Sequence, residues 1–348
     1  MFDGLEMGIF PLIARPALQE MQQAVGLVGD AYIGQWMGRI TALFLLGAAS
    51  GGLFFGWLGD RIGRVKSMSI AILCYSAFTG LAYFSQTPLQ LGMLRFVAAL
   101  GMGGEWSLGV ALVMEVWPEK HRPILAGVIG AAANVGFAII GIVGIFFSVT
   151  VDSWRWVMLL GATPALLTFF IRLFVPESPK WIKAAQAAPS RPLHDMLTRP
   201  ILVSTLLATV FASIALIGSW GSVQWLPMWA DQMAGAGEPG AKAYTQLLTA
   251  IGAIIGCFAG AWLGGRLGRR PAFFLISLGS LISCGWIFRG FDHYGTGFLA
   301  MTFLVGVTTT AFYGWLPLYL PELFPTRVRA TAQGVAFNAG RILAAVAA

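Results

Sequence analysis

Five ionisable side chains stand inside long apolar stretches of this chain: Asp3, Glu6, Arg95, Glu105 and Arg341. A charge at such depth is costly, and it usually faces a cavity or a partner. Two kinds of chemistry become available there. A carboxyl in a low-dielectric setting favours its neutral form, and a guanidinium beside it favours the ionised one, so a change in their separation drives proton uptake and release. A guanidinium facing a cavity also offers a planar fork of donors to an anion. Asp3 and Glu6 lie one turn apart on one helix face. Glu105 follows Arg95 by ten residues, ~15 Å along a helix, so those two occupy different depths. Arg341, close to Asn338 and Gly340, is better placed to meet an anion than Arg15 or Arg39, which are expected to snorkel to the interface.

Other chemistries lack their residues. His121, His194 and His293 all fall in polar connections, so no buried Ser–His or His–Glu pattern forms. Ala48-Ala49-Ser50-Gly51 reads as a small-residue helix contact. Cys74, Cys257 and Cys284 sit singly in apolar runs, with neither disulfide nor metal spacing. No enzyme activity, cofactor or metal is expected.

The elements that must hold these charges are membrane spans. The chain is 57% hydrophobic and 11% charged, against about a quarter charged in soluble domains. Apolar runs fall at 1–18, 34–59, 67–85, 89–114, 123–150, 153–175, 201–229, 243–263, 271–289, 296–318 and 330–348. Most approach the ~20 residues a spanning helix needs. The basic residues concentrate in alternate connections, at Arg61, Arg64 and Lys66, at Lys120 and Arg122, from Arg172 to Arg199, at Arg266, Arg269 and Arg270, and at Arg327 and Arg329. The intervening connections hold Arg155, Lys242 and Arg289. This asymmetry places the basic loops in the cytoplasm of a multi-pass inner-membrane protein. The net charge of +7 is thus a topology signal, and no nucleic-acid partner is expected. Lipid is the expected surround and a monomer the expected state. Eleven runs, with almost nothing before Asp3 and no basic flank after the last, suggest a twelve-span protein lacking the start of span one and all of span twelve.

The chain also repeats itself. Glu115, Pro118 and Arg122 return as Glu322, Pro325 and Arg329, at an offset of 207 (322 − 115). Trp57-Leu58-Gly59-Asp60-Arg61-Ile62-Gly63-Arg64 returns as Trp262-Leu263-Gly264-Gly265-Arg266-Leu267-Gly268-Arg269, at an offset of 205 (262 − 57). Parallel repeats of this kind build transporters whose solute site lies between two halves. The halves read as 1–175 and 201–348. A cytoplasmic linker, 176–200, joins them, with an interfacial helix expected around Trp181 to Ala188.

Gly56, Asp60, Arg61, Gly63, Arg64 and Lys66 together resemble the signature loop between spans two and three of the major facilitator superfamily. Glu115 to Arg122 and Glu322 to Arg329 resemble its loops after spans four and ten. Pro176-Glu177-Ser178-Pro179 resembles the segment after span six in its sugar and metabolite branches, and Arg95 to Trp106 resembles span four of its proton-coupled carboxylate and metabolite symporters. The resemblance implies an all-α fold of two pseudo-symmetric six-helix bundles. It implies that Asp60 meets the start of span eleven near Arg329, and that Asp3 pairs with Arg95. Arg61, Arg64 and Arg122 are expected to pair with Glu115 as a cytoplasmic gate, with Glu322 and Arg329 as its second copy. Plain topology anchoring is the alternative for the gate residues, and a fixed ion pair is the alternative for Asp3, Glu6 and Arg95. Gln224, Trp225 and Gln246 are expected to line the cavity from the second half. The expected function is proton-coupled transport of a small organic solute, a carboxylate-type metabolite. A sugar or metabolite uniporter or exporter, or a non-transporting membrane sensor, stands as the alternative.

Overall fold

A computed structural model describes residues 1–24, 26, 29–147, 149–187, 191–220, 222–235, 238 and 240–347. Among the described residues the regular structure is helical throughout. The first half runs α1 (Phe2–Ala24), α2 (Asp30–Ile62), α3 (Arg64–Leu81), α4 (Pro88–Val116), α5 (Arg122–Phe146), α6 (Trp154–Leu160) and α7 (Pro164–Phe174). Then come α8 (Pro179–Ala187) and α9 (Pro192–Met196) in the linker. The second half runs α10 (Arg199–Trp220), α11 (Leu226–Ala234), α12 (Ala241–Arg266), α13 (Arg269–Gly290), α14 (Thr296–Tyr319) and α15 (Arg329–Ala347).

Eight of these helices, α2, α3, α4, α5, α10, α12, α13 and α14, are long and apolar enough to cross a membrane. The other expected spans differ for local reasons. Helix α1 carries Asp3, Glu6, Arg15 and Glu20 along one span. The run 153–175 breaks into α6 and α7 at Gly161–Thr163, just before Pro164. Helix α15 has 19 residues and a polar first half. A helix forms where the sequence predicts one in the linker, as α8. Residues 188–190 of that segment lie outside the described residues, and α9 follows as a second short helix that the sequence did not announce.

The repeat is carried into the packing. Gly47 and Gly51 of α2 bring its backbone against Phe96 and Leu100 of α4. Their counterparts Gly252 and Gly256 of α12 lie against Phe303 and Val307 of α14. A Cβ at any of the four would collide with a carbonyl of the facing helix, so the small residue sets the helix separation. Both short turns also match. Gly63 (φ 113°) precedes α3 and Gly268 (φ 87°) precedes α13, conformations that a residue with a side chain resists.

The halves meet along two seams. On one, α15 packs against α2 and α4. On the other, α5 packs against α12 and α14, with Gly127 on Phe258 and Gly130 on Tyr313 and Cys257. At the end opposite the basic loops, Glu20 of α1 accepts from the Trp154 indole (2.6 Å) and pairs with Arg155, which in turn donates to Ser85 O (2.8 Å).

Candidate functional site

The first polar assembly closes the basic-loop end. The turn at Gly63 folds Arg64 back over α2. Its Nη1 donates to Gly59 O (2.8 Å) and Asp60 Oδ1 (2.5 Å). Its Nη2 donates to Glu115 Oε1 of α4 (3.1 Å) and, across the seam, to Thr326 O (2.7 Å). Asp60 in turn accepts from Ala330 N (3.3 Å), Thr331 N (2.8 Å) and Thr331 Oγ1 (2.6 Å). Those N–H groups open α15, where intrahelical partners are missing and the helix dipole is positive. Arg329 Nη1 reaches Glu115 Oε1 (3.2 Å) from the second half. Two carboxylates and two guanidinia therefore tie α2, α3 and α4 to α15. Gly56 lets this happen, because a Cβ there would stand 2.7 Å from Ala330 O.

Three expected pairings are corrected. Arg61 does not join Glu115. It lies about 100° around α2 from Asp60, is exposed, and rests on the Trp57 ring (5.3 Å). Arg122 pairs with its neighbour Glu119 (3.0 Å), while Arg329 takes the place beside Glu115. Glu322 pairs within its own half with Arg269 (3.0 and 2.6 Å). Arg269 also donates to Gly264 O (2.5 Å), repeating the bond from Arg64 to Gly59. Among the described residues the second copy keeps this internal pairing but lacks both the cap and the cross-seam arginine, because Arg122 turns to Glu119. Gly265 stands where Asp60 would, and a Cβ there would lie 3.1 Å from the Pro123 ring. Proline has no N–H to offer such an acid.

The linker adds a part that sequence reasoning missed. Glu177 accepts from Arg64 N (2.8 Å) and Val65 N (3.1 Å), capping the start of α3. Trp181 donates its indole N–H to Asp60 O (3.0 Å). Asp195 of α9 meets Arg327 of the second half (3.6 Å). The signal was present in the Glu-Ser-Pro run, since Ser178 accepts from Trp181 N (3.1 Å) and opens α8.

The second assembly lies deeper. Arg95 pairs with Glu6, and both are fully buried. Thr79 Oγ1 of α3 donates to the same carboxylate (2.8 Å). The Arg95 guanidinium lies between the rings of Phe44 (4.7 Å) and Phe10 (5.4 Å). The expected pairing of Asp3 with Arg95 is thus replaced by Glu6, one turn further along α1. Asp3 instead accepts from Gly4 N (2.8 Å) and from the Met1 amine (3.3 Å).

Asp3 shares electrostatic reach with Tyr75, Glu105 and Arg341. Tyr75 and Glu105 interact side chain to side chain, and the buried Tyr75 Oη and Glu105 Oε2 atoms meet no hydrogen-bond partner at full geometry among the described residues. Trp106, next to Glu105, stacks on Phe337 of α15 (4.1 Å, 17°). One turn on, the Arg341 guanidinium lies 5.4 Å from the Phe337 ring and donates to Asn338 Oδ1 (3.2 Å). Asn338 itself donates to Gly103 O (3.4 Å), across the seam. Glu105 and Arg341 each lie within electrostatic range of Asp3, while Glu6 and Arg95 form a separate pair. Trp225 is exposed and Gln246 half-buried. The side chain of Gln224 lies outside the described residues.

Residues 7–348 match the family model described as Major Facilitator Superfamily. A probable 4-methylmuconolactone transporter of Cupriavidus pinatubonensis is 32% identical over 317 residues, which cover 89% of this chain and 72% of that protein. A cis,cis-muconate transport protein of Acinetobacter baylyi is 29% identical over 321 residues, covering 89% and 76%. Among solved structures, the proton:xylose symporter XylE bound to 6-bromo-6-deoxy-D-glucose superposes with a TM-score of 0.79 over 99% of this chain and 85% of that one, at 16% identity, a likeness of fold alone. Two repeated helical bundles joined by a polar latch, and a family match over almost the whole length, lead to one assignment: the chain is a multi-pass membrane protein of the major facilitator superfamily, a transporter of small metabolites and not an enzyme.

Proposed function

We propose that this transporter moves a small organic acid across the membrane by alternating access, with protons carried in the same cycle. The observation that carries the reading is Arg341. It is buried where the halves meet, its Nε is unpartnered, and no carboxylate forms a salt bridge with it among the described residues. A buried guanidinium left in that state is costly, and an anionic solute in the cavity offsets the cost. The name of the Acinetobacter relative, a transporter of muconate, supports an acid. Glu105, whose Oε2 is buried and unpartnered among the described residues, supplies the proton side of the cycle, with Asp3 within its electrostatic range.

In this reading residues 1–175 and 201–348 are the moving units and 176–200 their linker. The basic loops face the cytoplasm across the inner membrane, and the assembly around Asp60, Arg64, Glu115 and Arg329 is the inner gate. The protein works as a monomer. Purified protein in proteoliposomes, offered muconate, aromatic acids, sugars and amino acids, is the test. Uphill uptake of acids driven by an inward proton gradient, and abolished by dissipating it, is expected. Uptake of sugars alone, or acid uptake indifferent to the gradient, would overturn the reading.

A further inference from the structure

Helix α2 carries a second feature on the side away from α4. Ser50, Leu53, Phe54 and Trp57 recur at helical spacing and, with Leu193 of α9, line a cavity of about 370 Å³. Leu53, Phe54 and Leu193 are all exposed, so the cavity is an apolar groove open to its surroundings. Its end is charged. Arg61, one turn beyond Trp57, lies over that indole (5.3 Å) and is free of the gate's carboxylates. Arg191 and His194 flank Leu193 on the linker wall, and both are exposed. The acid of that wall, Asp195, is engaged by Arg327 (3.6 Å).

The dimensions fit one class of occupant. From Ser50 to Arg61, α2 rises ~16 Å. Half of the ~30 Å hydrocarbon layer is ~15 Å. An acyl chain along the α2 wall from Ser50 to Trp57 therefore fits within one leaflet, and the indole and the guanidinium one turn beyond are groups that the membrane interface and headgroup phosphates favour.

We propose that this groove between α2 and α9 is a binding site for an anionic phospholipid, whose acyl chain lies along Leu53, Phe54 and Trp57 and whose phosphate meets Arg61. The occupant reaches the gate through its neighbours. Asp60 adjoins Arg61, and α9 touches α2, α10 and α15. A lipid held there fastens the linker to the first half at the gate. The neutral alternative, ordinary annular lipid, fills the groove but makes no use of the cation.

Native mass spectrometry on delipidated protein, titrated with phosphatidylglycerol or with phosphatidylcholine of the same chains, tests the site without reference to transport. Phosphatidylglycerol is expected to be retained roughly fivefold more tightly. Arg61→Gln should erase that preference while leaving phosphatidylcholine unchanged, and Leu193→Trp, which fills the groove from the linker wall, should weaken both. Thermal unfolding and gel filtration establish that each variant is folded, and the wild-type comparison stands without them. Equal retention of the two lipids by the wild type, or an undiminished preference in Arg61→Gln, overturns the proposal. So does displacement of the lipid by glycerol phosphate alone, which would make this a free-anion site. A dimer that excludes lipid would assign the groove to a second copy of the chain and overturn it too.

Discussion

Glu6 and Glu105 both stand in apolar helices but differ in their partners, and substitution should separate them. Glu6 is the counter-charge of Arg95, which is buried with two aromatic rings about it. Glu6→Gln leaves that cation unpaired, a loss of about 3–5 kcal/mol for a buried pair broken on one side. The expected result is a marked drop in the unfolding temperature in detergent. Glu105 has no cation bonded to it among the described residues, and its Oε2 is unpartnered. Glu105→Gln should keep the unfolding temperature within a few degrees while losing uptake driven by a proton gradient. Equal thermal losses in the two variants would show that the distinction is wrong. The sequence could not have drawn it. Asp3 and Glu6 share one helix face, and the partner of Arg95 is decided by Thr79 of another helix and by space beside Gly161, neither of which is visible in the local pattern.

At the scale of helices, the latch is asymmetric although the loops that build it repeat. Asp60 caps α15 through the N–H groups of Ala330 and Thr331, whereas Gly265 meets a proline ring at the start of α5. Asp60→Asn removes the charge that holds Arg64 and weakens the cap, by about 0.5–2 kcal/mol on the scale of such caps. Expression should survive and transport should fall, as read by uptake per unit of protein in the membrane. Gly265→Asp should also impair the protein, because the new acid is pressed against Pro123 without a full set of donors. Adding Pro123→Ala to Gly265→Asp should recover part of the lost unfolding temperature, and no recovery would exclude this account of the asymmetry. Most of the spans, the loops and the repeat were legible in the sequence because hydrophobic length and the clustering of basic residues act locally. The identity of each ion pair was not. Arg61 and Arg64 are three residues apart, yet one lies on an indole and the other at the centre of the latch, a choice made by helix phase and by the turn at Gly63.

For the whole molecule, alternating access as proposed above makes the close approach of α2 to α15 a feature of one arrangement of the halves, so a bulkier residue in that contact should penalise this arrangement and not the fold. Gly56→Ala would place its Cβ 2.7 Å from Ala330 O. The expected effect is a population shift away from the closed latch. A cysteine introduced at Thr331 should then react faster with a membrane-impermeant thiol reagent applied from the basic-loop side, and an unchanged labelling rate would show that the contact does not govern access. The break between α6 and α7 has a different consequence. Gly161 lies at that break, and a Cβ there would stand 3.0 Å from the Glu6 carboxylate and closer still to Thr79. The position of the acid in α1 and the break between α6 and α7 are therefore coupled through space. Libraries randomised at 6 and 161 jointly should yield working combinations that neither site yields alone, and descendants that relocate the acid should be found to have healed the broken helix.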